Sequence, residues 1–256
     1  MQMLLKKYKR LLDIFFNWKI KSEHEDFFKE TKIVAILTAY KRKDYFISQI
    51  ESLLHQTVKI DRIIIFNNGT INFKYLKRRF KEKLFIINSD LNTKYWGRFA
   101  ISNLCNSEYV LILDDDIVPG SKWLENCLRL CTEKNCIVTG NGRCINNESF
   151  YGDDGFVDTD IKIGFGGHSW FFKKEWLKYF ICEKPLNYFT GEDISFSALC
   201  KIKGGIETWL PKQEYETSAH KYNFSGDDKA SFRTNNWDTI RKEMCKHFQK
   251  QGWSIQ

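Results

Sequence analysis

The chain has 256 residues, 43% hydrophobic and 28% charged, with 21 Phe, 11 Tyr and 8 Trp, which excludes an intrinsically disordered chain and is enough for a single core. Three prolines and no internal repeat exclude a Pro-rich linker or a repeat array. The formal charge of +8, from 40 basic and 32 acidic residues, suits anionic partners, but no helix-turn-helix, zinc-finger or RNA-binding signature accompanies it, and nucleic acid is not expected as a partner.

Residues 1–20, MQMLLKKYKRLLDIFFNWKI, place Leu4, Leu5, Tyr8, Leu11, Leu12, Phe15 and Phe16 at helical spacing with Lys6, Lys7, Lys9 and Arg10 elsewhere. This basic amphipathic helix is too short and too charged to span a bilayer and carries no signal-peptide cleavage site. It is expected to dock on an anionic membrane face or to pack on its own domain or a partner. From Lys32 the pattern becomes KIVAILTAY, then an amphipathic stretch from Asp44 to His55, then DRIIIFNNG: strand, helix, strand. KLFIIN adds a strand, Tyr95 to Cys105 a helix, and EYVLILDDD a fourth strand ending in acids. Such alternation predicts a mainly parallel sheet covered on both faces, with ligands at the carboxyl ends of its strands. Thr38 to Tyr40, Asn67 to Gly69 and Asp114 to Asp116 all fall at those ends.

Asp114, Asp115 and Asp116 at the rim of a buried strand repel one another unless a cation is near. On an extended strand end, Asp114 and Asp116 would share one side and Asp115 the other. Magnesium or manganese suits such oxygen ligands and can hold a diphosphate as well. An acidic loop or helix cap is the plain alternative. The eight cysteines are scattered; Cys127 and Cys131 share an apolar helix face with Leu128 and Leu130, so with Cys136 they read as buried free thiols of a reducing cytosol rather than a zinc cluster.

The ordered set ILTAYKR, SLLHQTVKIDRIIIFNNG, SEYVLILDDDIVPGSKWLE and GEDISFSALCKIKGG resembles the GT-A glycosyltransferases, closest to family 2, over roughly Lys32 to Pro211. The resemblance implies an α/β fold of Rossmann-like, mainly parallel type in one domain. It divides the chain into the N-terminal helix at 1–30, a catalytic domain at 31–215 and a C-terminal loop and helix at 216–256 that completes the active site. It implies nucleotide contacts from Thr38, Ala39, Tyr40, Arg42, Asn67, Asn68 and Arg98, with Asn67 standing where the family commonly has aspartate. The DDD run takes the place of the family's DxD motif, Asp114 and Asp115 toward the donor and Asp116 with Asp114 on Mn2+ or Mg2+, joined by His220 as a further ligand. Glu192 and Asp193 match its ED motif, with Asp193 the base in an inverting transfer; without the DDD run these acids would read as a helix cap.

Gly167, His168 and Trp170 fall where the family lines its acceptor and sugar pocket, with Trp170 expected to stack on a sugar face, although His168 also fits a structural histidine. SGDDKASFR is expected to form a lid, with Lys221, Lys229 or Arg233 supplying charge. The implied donor is a UDP-sugar and the acceptor a glycan or lipid-linked hydroxyl in cell-surface polysaccharide synthesis, on a cytoplasmic protein peripheral to the inner membrane face. Three rivals stand beside this reading. A retaining exostosin-like transferase shares the architecture, a sugar-phosphate nucleotidyltransferase would need a Gly-rich loop that TAYKRKD lacks, and a non-catalytic carbohydrate- or partner-binding module could keep the same fold.

Overall fold

A computed structural model describes residues 25–40, 42, 44–69, 71–80, 84–143, 150–151, 156–223 and 236–254. The helix expected over residues 1–20 lies outside the described residues, as do Lys229 and Arg233.

Strand β1 (Thr31–Ala39) buries every residue from Ile33 to Leu37 completely, a continuous apolar run that needs cover on both faces. Helix α1 (Phe46–Leu54) supplies part of that cover through Phe46, Ile50 and Leu53, at spacings of four and three. β2 (Arg62–Asn67), α2 (Lys74–Arg79), β3 (Leu84–Asn88), α3 (Trp96–Leu104) and β4 (Ser107–Leu113) continue the alternation. These four strands run parallel in the order β3-β2-β1-β4. Their register places Ala39 beside Asn67 and Leu37 beside Leu113, so the polar ends of β1, β2 and β4 share one edge. That edge is where the sequence puts its chemistry.

The chain then forms β5 (Ile117–Val118), α4 (Trp123–Lys134), β6 (Ile137–Arg143), β7 (Phe150–Tyr151), β8 (Ile161–Ile163) and β9 (Phe165–Lys173). A 3-10 turn leads into α5 (Leu177–Ile181), followed by α6 (Glu192–Gly204), β10 (Thr208–Leu210), β11 (Tyr222–Asn223) and α7 (Trp237–Lys250). The sheet extends as β4-β9-β6-β10-β8 with β7 on β6, while β11 pairs with β5. The α/β single-domain expectation stands, and β6 and β10 are parallel, but β9 lies antiparallel between β4 and β6. Its opening Phe-Gly-Gly-His hides this strand from a periodicity reading. Gly166 is required there because a Cβ would lie 2.1 Å from the Asn141 carbonyl oxygen.

Cys127 and Cys131 face the core from α4 and Cys136 follows it, all fully buried and free; burial pushes the Cys131 thiol up to about 12. No described helix is long and apolar enough to cross a membrane.

Candidate active site

β4 ends at Leu113, and Asp114 to Asp116 form a turn rather than an extended strand end. The expected alternation of their side chains therefore fails. Asp115 and Asp116 both meet Arg42, at 2.7 and 3.1 Å, whereas Asp114 points the other way, to Arg98 on α3. The turn is held from behind by fully buried Gln49 of α1, whose amide donates to the carbonyls of Asp114 and Ile117 at 2.7 Å each. Sequence reasoning passed over Gln49 because a single amide on an apolar helix face gives no signal until its partners are known.

Arg98 is the hinge between the two acidic motifs. Its guanidinium, 3% exposed, bonds Asp114 on one side and Glu192, the first residue of α6, on the other. Burial works against its charge, but the two carboxylates outweigh that effect and hold its pKa above the ordinary value. Beneath it lies Trp170, with the ring centre 4.2 Å from the guanidinium carbon. Trp170 is 1% exposed, which corrects the expectation that it stacks on a sugar: Arg98 lies over its ring and Phe99 meets it in a T-shaped contact at 6.2 Å. Asp193 turns away from this pair and is gripped by Arg241 of α7 at 2.9 and 2.7 Å.

At the carboxyl edge of β1 and β2, the Thr38 hydroxyl and the Asn67 Oδ1 are buried without a hydrogen-bond partner among the described residues. Asn67 spends its amide on Ile71 O and Asn88 Oδ1. Asn68 is fully engaged: its amide reaches Asn92 and Lys94 O, and its Oδ1 accepts from the Thr93 amide and hydroxyl. It shapes the 92–94 loop, leaving Asn67 as the amide with a free acceptor. Ala39 O accepts from the Asn68 amide, and Tyr40 is 41% exposed at the rim.

On β9, the Gly167 amide donates to Asn141 Oδ1, and His168, with a left-handed φ of 63°, accepts from the Asp114 amide through its carbonyl. The His168 ring bonds His220 at 2.8 Å. His220 is thus brought beside the DDD turn, but engaged with another ring. Lys221 pairs with Glu216 at 2.8 Å.

The cluster sets five carboxylates, Asp114, Asp115, Asp116, Glu192 and Asp193, against three guanidiniums, Arg42, Arg98 and Arg241. The deficit shows in two of them. Burial, aided by Asp116, pushes Asp115 up to about 7 despite Arg42, and burial with Asp193 pushes Glu192 up to about 7 despite Arg98 and Arg241. Among the described residues no three acid, histidine or cysteine side chains converge into a preformed metal cage. The donor set nevertheless fits magnesium or manganese, which commonly take one or two carboxylates and complete their shell with water and substrate phosphate. Asp115 and Asp116 already converge on one cationic group, and two positive charges would balance the cluster.

The raised groups predict a pH dependence. Asp115 and Glu192 bind protons in the folded chain at about 7, against 3.8 and 4.5 ordinarily, so the folded state holds more protons than the unfolded one across that window. Stability then falls as pH rises through it. The melting temperature in chelator is expected to drop between about pH 5 and about pH 8, and millimolar Mn2+ to shrink the drop. A flat profile would mean that the acids are not strained.

The family model for glycosyl transferase family 2 matches residues 34–181, more than half of the chain, ending before Glu192. No curated protein matches. Among solved structures, S. aureus TarS is similar at TM-score 0.54 and 14% identity, covering 73% of this chain and 38% of TarS. TarS 1–349 in complex with UDP-GlcNAc is similar at 0.55 and 14%, over 88% of this chain and 74% of that one. The UDP complex gives 0.55 at 12% identity, over 88% and 72%. This chain thus spans well under half of the longer TarS chain, and the likeness to TarS is one of fold. With its parallel strands delivering TAY, NN and DDD to one edge inside the matched span, the chain belongs to glycosyltransferase family 2.

Proposed function

We propose that this chain is an inverting, divalent-cation-dependent glycosyltransferase that moves a sugar from a UDP-linked donor to an acceptor hydroxyl. The observation that carries the reading is the under-compensated acidic cluster at the carboxyl edge of the sheet, beside two buried polar atoms without partners. The UDP-GlcNAc and UDP bound in the TarS structures support a uridine donor.

In this mechanism Asn67 Oδ1 and the Thr38 hydroxyl accept from the base and ribose, and the exposed Tyr40 ring lies against the nucleotide. Asp116 would hold Mn2+ or Mg2+, with Asp114 turned from Arg98 and His220 turned from His168 as further ligands; the cation would neutralise charge on the departing nucleoside diphosphate. Arg42, released from Asp115 and Asp116 as the donor enters, turns to the diphosphate, where a guanidinium is well matched to phosphate oxygens. Gly167 and His168 line the sugar side. The acceptor oxygen attacks the anomeric carbon opposite the leaving diphosphate, one C–O bond forming as the other breaks, and Asp193 takes the acceptor proton. The acceptor is a glycan or lipid-linked hydroxyl of cell-surface polysaccharide, and residues 1–20 bring the cytoplasmic enzyme to the inner membrane face.

The test is thermal stabilisation and slow donor hydrolysis with a panel of nucleotide sugars, in Mn2+, in Mg2+ and in chelator, for wild type and Asp116→Ala. One donor class should raise the melting temperature by several degrees only with the cation and only in wild type, on the order of the shift given by a ligand at 100 times Kd. Stabilisation by no donor under any condition would reject the transferase reading and favour a binding module.

A further inference from the structure

We infer that Arg241, on the C-terminal helix α7, is the positioning residue that aims the Asp193 carboxylate at the acceptor; this rests on the role of Asp193 proposed above. The arginine forms a two-pronged pair with the carboxylate, Nη1 to Oδ1 at 2.9 Å and Nη2 to Oδ2 at 2.7 Å. Oδ1 also accepts from the Ile194 amide at 2.9 Å, so Oδ2 is the oxygen with more spare lone-pair capacity, and it is the one that receives the proton. A planar fork fixes the plane of the carboxylate as well as its distance, which a lysine cannot do.

The guanidinium is itself fixed. Its carbon lies 5.1 Å from the centre of the Phe165 ring and 5.2 Å from that of Trp237, and Trp237 meets Tyr95, which precedes the helix carrying Arg98. One turn further along α7, Met244 packs on Gly191, the residue before Glu192. Gly191 has φ +86°, and a Cβ there would lie 2.2 Å from the Met244 sulfur. Phe248 continues the same face of α7 into the core. Thus α7, beyond the span matched by the family, clamps the approach to the base through Met244 and orients the base through Arg241. Arg241 escaped sequence reasoning because it is one basic residue in a helix whose other cations are solvated.

The experiment compares wild type, Arg241→Met, Arg241→Lys and Asp193→Asn in hydrolysis of the nucleotide-sugar panel, UDP-GlcNAc included, with water as acceptor. Arg241→Met should lower kcat about 10- to 100-fold with donor KM unchanged, because the base is still present but no longer held in plane. Arg241→Lys, which keeps the charge without the fork, should restore only part of kcat, again at unchanged donor KM; it also decides the matter if the methionine variant does not fold. Wild-type kcat in both variants, or a kcat loss matched by an equal change in donor KM, with turnover lost in Asp193→Asn, would overturn the inference alone. Turnover retained in Asp193→Asn, or absent from wild type with every donor, would overturn the reading beneath it and the inference with it.

Discussion

Asp193→Asn is expected to reduce transfer by about 10²- to 10⁴-fold while leaving donor affinity intact. The substitution is isosteric and keeps an oxygen for the Ile194 amide, but the amide cannot take the acceptor proton and offers an N–H2 where Arg241 needs an acceptor. The donor contacts proposed at Thr38, Asn67, Arg42 and Asp116 lie on other elements and are untouched, so donor Kd by calorimetry should match wild type. Thermal melting in parallel separates chemistry from folding, because Arg241 is left without its counter-charge. Turnover near wild type would move the base to another group. Glu192 is a poor substitute, since it is 4% exposed and bound to Arg98.

The largest effect on stability is expected at Arg98. Replacing it by leucine leaves Asp114 and Glu192 buried or half-buried without the cation that both share, and removes the group resting on Trp170. Breaking a buried ion pair on one side costs about 3–5 kcal/mol, equivalent here to roughly 6–20 °C in melting temperature. The loss should be greatest near neutral pH and recover partly in acid. Glu192 is already pushed up to about 7 with Arg98 present, and without it the carboxyl can enter the folded state only as the neutral acid. Arg98→Lys should recover less than half of the loss, because one ammonium cannot bond both carboxylates in a fixed fork. A melting temperature for Arg98→Leu within 2 °C of wild type at about pH 7.5 would show that the two acids carry no charge there.

These predictions depend on contacts of unequal visibility in the sequence. The parallel core was legible because its cause is local: KIVAILTA, RIIIFN, LFIIN and YVLIL are unbroken apolar runs, and such runs between amphipathic helices pair as covered parallel strands. Placement of TAY, NN and DDD at one edge follows from that pairing, as does the assignment of GEDIS to a helix start. The sequence by itself therefore determined the fold class and the side of the sheet on which the chemistry lies. Only the tertiary structure decided how the acids are shared out. Arg98 joins Asp114 across 16 residues of chain to Glu192 across 94, Asp115 and Asp116 join Arg42 across more than 70, and Asp193 joins Arg241 across 48. Trp170, a sugar platform by its motif, became the floor under Arg98 because β9 turned antiparallel into the sheet. Periodicity reports which face of an element is apolar, through the repeat of its own backbone. Which charge meets which depends on where separate elements end in space, and the chain carries no local signal for that.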